Sequence, residues 1–223
     1  MTKRPNRTTG ARTTGGRPPE GRTRVLLIAG ALVLLVVVVG IVIALASGSD
    51  DPTSTGDTTP AFGPVIVEDD PLPPFTSTAG DAAAGLAAPL VEGISPDGDP
   101  VTIGQAGAPT LVTFLAHWCP HCQRELPVIV ALQAGGDLDG IRTVAVLTGT
   151  DANRPNFPPV AWLDREGWAG EVLLDDEAQT AARAYGLSSY PFLVLLDGDG
   201  EVVARAEGEV PAADVVALAD LAR

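Results

Sequence analysis

The only two cysteines of this 223-residue chain stand three positions apart, in His117-Trp118-Cys119-Pro120-His121-Cys122. A pair so close in sequence cannot staple distant segments, so a disulfide-built scaffold is excluded. A four-sulfur zinc site is excluded too, because no further cysteine exists to complete the tetrahedron. The flanking residues place the pair. Residues 110–115 form a β-rich run just before the motif, and residues 125–134 carry helical apolar spacing through Leu126, Ile129, Val130 and Leu132. The cysteines therefore fall where a strand gives way to the N-terminus of a helix. Unpaired backbone N–H groups and the positive end of the helix dipole favour a thiolate at such a position, and the thiolate is the nucleophilic form of cysteine. Cys119 is expected to be the exposed attacking sulfur and Cys122, one turn later, the shielded sulfur that resolves a mixed disulfide. Pro120 suits an early helical position, where a backbone N–H has no internal partner. His121 brings a positive or hydrogen-bonding group near the Cys119 sulfur.

The rest of the C-terminal region alternates strand and helix signals. Residues 101–103 and 141–147 are β-branched, and the second run closes a βαβ unit with 110–115 and the helix. A helix is expected over 158–166, a short strand over 171–174, and a helix over 177–185 ending at Gly186 as a left-handed cap. Residues 192–196 and 201–206 flank Asp197-Gly198-Asp199-Gly200 as a β-hairpin, and a helix over 212–221 closes the chain. These parts fit an α/β domain over 89–223, with a central mixed sheet flanked by helices.

Upstream the composition changes. Residues 1–24 hold seven basic side chains and one acid, and residues 25–46 are uncharged and rich in Leu, Val and Ile. At ~1.5 Å per residue, 22 helical residues reach ~33 Å, enough for a ~30 Å hydrocarbon core. The expectation is a basic cytoplasmic tail (1–24), a single transmembrane signal-anchor helix (25–46) and a domain displayed outside the cytoplasm, because Lys- and Arg-rich flanks stay inside. The alternative is cleavage after Ala46, at the small-x-small pattern Ala44-Leu45-Ala46. Residues 47–88, dominated by Ser, Thr, Gly, Pro, Asp and Ala, read as a flexible linker whose short apolar patch at 64–67 is available to dock on the domain. A net charge of −14 argues against a nucleic-acid partner.

The run from Leu111 to Cys122, the trailing Glu125-Leu126-Pro127 and the later Tyr190-Pro191-Phe192-Leu193-Val194 resemble the thioredoxin superfamily, and within it the membrane-anchored TlpA-like thiol-disulfide oxidoreductases. The resemblance spans residues 89–223. It implies that Pro191 is a cis-proline facing the dithiol and that Pro127 kinks the active-site helix. It also implies that no organic cofactor is required. The implied partners are client proteins carrying thiols or disulfides and a membrane or extracytoplasmic redox protein. Thioredoxin has a buried aspartate at the position of Thr113, which cannot ionise in its place. Glu125 stands where TlpA-like relatives often carry a glutamate near the dithiol and is the candidate base; the alternative is a solvated helix glutamate. The Pro-His dipeptide is that of the oxidant DsbA, whereas thioredoxin carries Gly-Pro. Their potentials, about −120 and −270 mV, differ by an amount worth ~7 kcal/mol. Oxidation or isomerisation is therefore placed ahead of reduction.

The catalytic candidates are thus Cys119, Cys122, Pro191, His121 and Glu125. The rival reading is a thioredoxin-fold copper-binding or delivery protein, since His117, Cys119, His121 and Cys122 are all soft-metal donors. His117 otherwise reads as a polar rim residue and Trp118 as a packing and substrate-contact aromatic. The acidic pair Asp175-Asp176 reads as a solvated face or turn.

Overall fold

The computed structural model describes residues 60–223. The expected tail (1–24), membrane span (25–46) and first part of the linker lie outside the described residues. Among the described residues no helix is long and apolar enough to cross a membrane.

The chain runs β1 (Ile66–Glu68), β2 (Leu90–Ile94), β3 (Pro100–Ile103), β4 (Thr110–Leu115), α1 (Pro120–Gly135), β5 (Arg142–Leu147), α2 (Pro159–Glu166), β6 (Glu171–Leu174), α3 (Thr180–Ala184), β7 (Phe192–Leu196), β8 (Val202–Glu207) and α4 (Ala212–Leu221). Five strands form a mixed sheet in the order β6-β5-β4-β7-β8, with β4, β5 and β6 parallel and β7 and β8 antiparallel additions. Strands β4 and β7 are buried at every position, as central strands covered on both faces must be. Alternation sends Leu111 and Leu115 to the face covered by α1, α2 and α4, and Val112 and Phe114 to the other.

That other face departs from the expectation of helices on both sides. Apart from the single turn and a half of α3, it is covered by a small antiparallel sheet, β1-β2-β3, and by residues expected to be linker. The domain does not begin at residue 89. β1 pairs with β2, with Val67 opposite Val91. Leu72, Phe75 and Ala83 are buried in the core, and Leu72 and Phe75 donate backbone bonds to the carbonyls of Ala184 and Gly186. The tether reading therefore fails over 68–88, while the apolar patch at 64–67 is seated on the domain through β1. A few large side chains there, Leu72 and Phe75 among them, fill a sheet face that would otherwise be wet.

One ion pair fastens this segment. Arg205 of β8 donates to both carboxylate oxygens of Asp81, at 2.8 and 2.6 Å, and its Nη1 donates to the carbonyls of Pro73 and Tyr185. Gly186, at φ +73°, lets the chain pass this guanidinium; a Cβ there would lie 2.6 Å from Nη1.

The expected helix over 177–185 begins instead at Thr180, because Gln179 takes a left-handed conformation and the acids preceding it cap the shortened helix. Asp176 accepts from the Thr180 N–H and Asp175 from those of Ala181 and Ala182. Asp175 is buried in that task rather than solvated.

Candidate active site

Cys119 occupies the N-cap position of α1, with Pro120 opening the helix behind it. β4 delivers the chain to this point, and a turn closed by the Cys119 N–H on the Ala116 carbonyl aims it into the helix. Cys122 lies one turn on. Both thiols are free. Cys119 is less exposed than expected, keeping 6% of its surface against 0% for Cys122. The cover comes from the segment ahead of β7: the Tyr190–Pro191 peptide is cis, and the Cys119 Sγ donates to the Tyr190 carbonyl at 3.7 Å. Both cysteines are buried, so the expectation of an exposed first sulfur is not met; only the order is retained, Cys119 keeping a small residual exposure and Cys122 none. Burial pushes the Cys122 thiol well above its ordinary value, and the neighbouring Cys119 and Glu125 act in the same direction.

Glu125 follows Cys122 by three residues and so shares its face of α1. It is not a solvated glutamate: the side chain is buried, Oε2 accepts from the Val210 N–H at 2.9 Å, and Oε1 meets no donor among the described residues. Burial is the main cause that raises its carboxyl to about 7, with the nearby Glu209 charge acting the same way against the Val210 hydrogen bond. At neutral pH the group is thus poised to take or give a proton beside Cys122. The Thr113 hydroxyl is buried without a partner among the described residues.

His121 points outward at the rim, where its Nδ1 lies 2.7 Å from Glu209 Oε1. Arg124 donates to the same oxygen from Nε and Nη2, at 3.0 and 2.6 Å. These hydrogen bonds, Arg124 first and His121 second, hold the Glu209 carboxyl down at about 2. No sequence signal pointed to Glu209, which reaches the motif from the β8–α4 connection, 88 residues away.

His117 is buried, not a rim residue. Its Nδ1 lies 2.7 Å from the Pro155 carbonyl and its Nε2 accepts from the Asp151 N–H at 3.2 Å, which together assign the proton to Nδ1. Burial lowers its pKa, keeping the ring neutral. The motif's first residue thereby pins the loop after β5 against the dithiol. With both ring nitrogens engaged it is not free to ligate copper, and among the described residues no three His, Cys, Asp or Glu side chains converge as a metal site. Trp118 fixes the same loop by donating from Nε1 to the Gly149 carbonyl at 2.7 Å, and it meets Tyr190 edge to face. Arg154 stacks over the indole at 4.5 Å. Gly149, at φ +58°, leaves room for the Tyr190 hydroxyl, 2.6 Å from where a Cβ would stand.

Residues 67–221 match the family model described as Redoxin. The methylamine utilization protein MauD of Methylobacillus flagellatus is 33% identical over 124 residues, covering 54% of this chain and 56% of that protein. The thiol-disulfide oxidoreductase ResA of Halalkalibacterium halodurans is 28% identical over 97 residues, covering 44% of this chain and 52% of ResA. The chain thus spans about half the length of these relatives. Among solved structures, a candidate thiol:disulfide interchange protein DsbE from Chlorobium tepidum aligns with a TM-score of 0.52 at 27% identity, over 62% of this chain and 97% of that one.

Proposed function

Because the chain belongs to the Redoxin family, we propose that it is a protein thiol-disulfide oxidoreductase that exchanges disulfides with client proteins through Cys119 and Cys122. The observation that carries this reading is the placement of two free thiols at the start of α1, the outer one beneath the cis Tyr190–Pro191 peptide and the inner one above a buried carboxyl. ResA and the DsbE-like structure, both named for thiol-disulfide chemistry, support it.

In the reducing direction, the Cys119 thiolate attacks one sulfur of a client disulfide. A mixed disulfide forms and the client's other sulfur leaves as thiolate. Cys122 then gives its proton to Glu125 and attacks the Cys119 sulfur. The Cys119–Cys122 bond forms, the mixed disulfide breaks, and the second client sulfur leaves and takes up a proton. Two electrons have passed to the client. Oxidation is the reverse sequence, and the Pro120-His121 dipeptide places oxidation or isomerisation ahead of reduction. Pro191 and the Tyr190 carbonyl form the wall against which client backbone is set. A second dithiol protein or a membrane redox protein resets the pair, and no organic cofactor enters the cycle. The membrane span at 25–46 holds the domain outside the cytoplasm, where clients acquire disulfides.

The full-length chain in detergent is expected to accelerate reduction of insulin disulfides by dithiothreitol; no acceleration would contradict the reading. Glu125→Gln is expected to slow the attack of Cys122 on the mixed disulfide by about a hundredfold, the lower end of the range for a lost general base. In the unsubstituted protein this step should quicken as pH rises through about 7, where Glu125 loses its proton, and the variant should lose that limb. Stopped-flow measurement of the step against pH checks both; an unchanged profile removes Glu125 from the mechanism.

A further inference from the structure

We infer that Glu209 is a positioning residue that gathers Arg124 and His121 at the rim of the dithiol and, by neutralising the Arg124 charge, makes the Cys119–Cys122 pair less oxidising than its Pro-His dipeptide alone would. This rests on the proposed exchange chemistry and concerns how its equilibrium is set.

The geometry is specific. One carboxylate oxygen, Glu209 Oε1, receives Arg124 Nε, Arg124 Nη2 and His121 Nδ1 within 2.6 to 3.0 Å. Arg124 Nη2 also lies 3.0 Å from His121 Nδ1. With Nδ1 donating to Glu209 this is an approach of two donors, bridged by the shared oxygen. The carboxylate thus holds together groups that would otherwise separate. Both side chains belong to the first turns of α1, each two residues after a cysteine. Arg124 is within electrostatic reach of Cys119.

A thiolate exists only in the reduced protein, so nearby positive charge stabilises the reduced form and raises the reduction potential. Glu209 supplies the opposing charge. The side chains are 58%, 54% and 42% exposed for His121, Arg124 and Glu209, so the effect is moderated by solvent and salt rather than being that of a buried triad. Glu209→Gln keeps an acceptor oxygen while removing the charge, and isolates the electrostatic part.

The test is redox equilibration of the full-length chain in glutathione buffers, with alkylation of the remaining thiols. Glu209→Gln is expected to make the pair more oxidising by about fivefold in the equilibrium constant, or ~20 mV for two electrons, and Arg124→Gln to shift it the other way. Both shifts should shrink at 1 M salt, where the Debye length falls to about 3 Å. An unmoved or more reducing Glu209→Gln, in a variant that melts with the unsubstituted protein, overturns the assignment. If the unsubstituted protein itself shows no equilibrium with glutathione, the exchange reading fails first, and the two failures are distinguishable.

Discussion

Replacing Cys119 by serine is expected to reduce disulfide-exchange turnover to background, a loss on the order of a thousandfold or more, because no covalent route remains once the attacking sulfur is gone. Cys122→Ala should behave differently. The outer sulfur still attacks, but nothing beneath it can displace the client, so a stable one-to-one mixed disulfide accumulates on Cys119. The contrast follows from position: Cys119 keeps a small exposed surface at the helix N-cap and Cys122 has none. Non-reducing electrophoresis followed by mass spectrometry reads the adduct and its site. In cells expressing the full-length Cys122→Ala chain, the captured proteins identify the clients. Equal, partial activity in both single variants would show that the sulfurs are interchangeable and that the layered geometry does not set their order.

The second large effect is on stability. Asp81→Asn removes the charge partner of Arg205, whose side chain is 0% exposed while that of Asp81 is 5% exposed. Breaking a buried pair from one side typically costs about 3–5 kcal/mol, because the remaining charge stays buried without compensation. For a domain of this size each kcal/mol lowers Tm by roughly 2–4 °C, so a fall on the order of 10 °C is expected. Removing both partners, as in Asp81→Asn with Arg205→Met, should recover part of the loss. The pH dependence has a definite sign. The Arg205 guanidinium beside Asp81 holds its carboxyl below the usual value of 3.8. The pair's contribution is therefore present above about pH 4 and is lost as pH falls through the lower folded value. Asp81→Asn should flatten the acid limb of the stability curve. A melting temperature within ~2 °C of the unsubstituted protein would mean that residues 73–81 are not fastened by this pair.

The same ion pair shows why the N-terminal boundary was not legible in the sequence. Helix α1, the hairpin β7–β8 and α4 announce themselves through local periodicity and turn residues. The segment from 64 to 88 has no such period; its order comes from single side chains, Leu72, Phe75 and Asp81, meeting partners as much as 124 residues away. Proline, alanine and serine around them make the composition look like a tether. The site divides along the same line. Cys119, Cys122 and Pro191 stand in recognisable strings, and the structure brings them together. Glu125 could be located by its spacing, but its burial depends on Val210 folding back over α1. Glu209 reaches the motif through the β8–α4 connection, and nothing nearby in sequence marks it. His117 misled for the opposite reason. Within a polar-looking motif it reads as a rim group, yet its ring lies inside because the loop after β5 supplies a carbonyl and an N–H for its two nitrogens.

In the proposed cycle Cys119 and Cys122 form and break one reversible bond. Equilibrating the native full-length chain across glutathione buffers and counting alkylatable thiols tests it most directly. Both thiols are expected to disappear together in a single two-electron transition, with any glutathione adduct confined to Cys119 when Cys122 is replaced by alanine. Thiols that stay free throughout the oxidising range, or an adduct that forms first on Cys122, would contradict it.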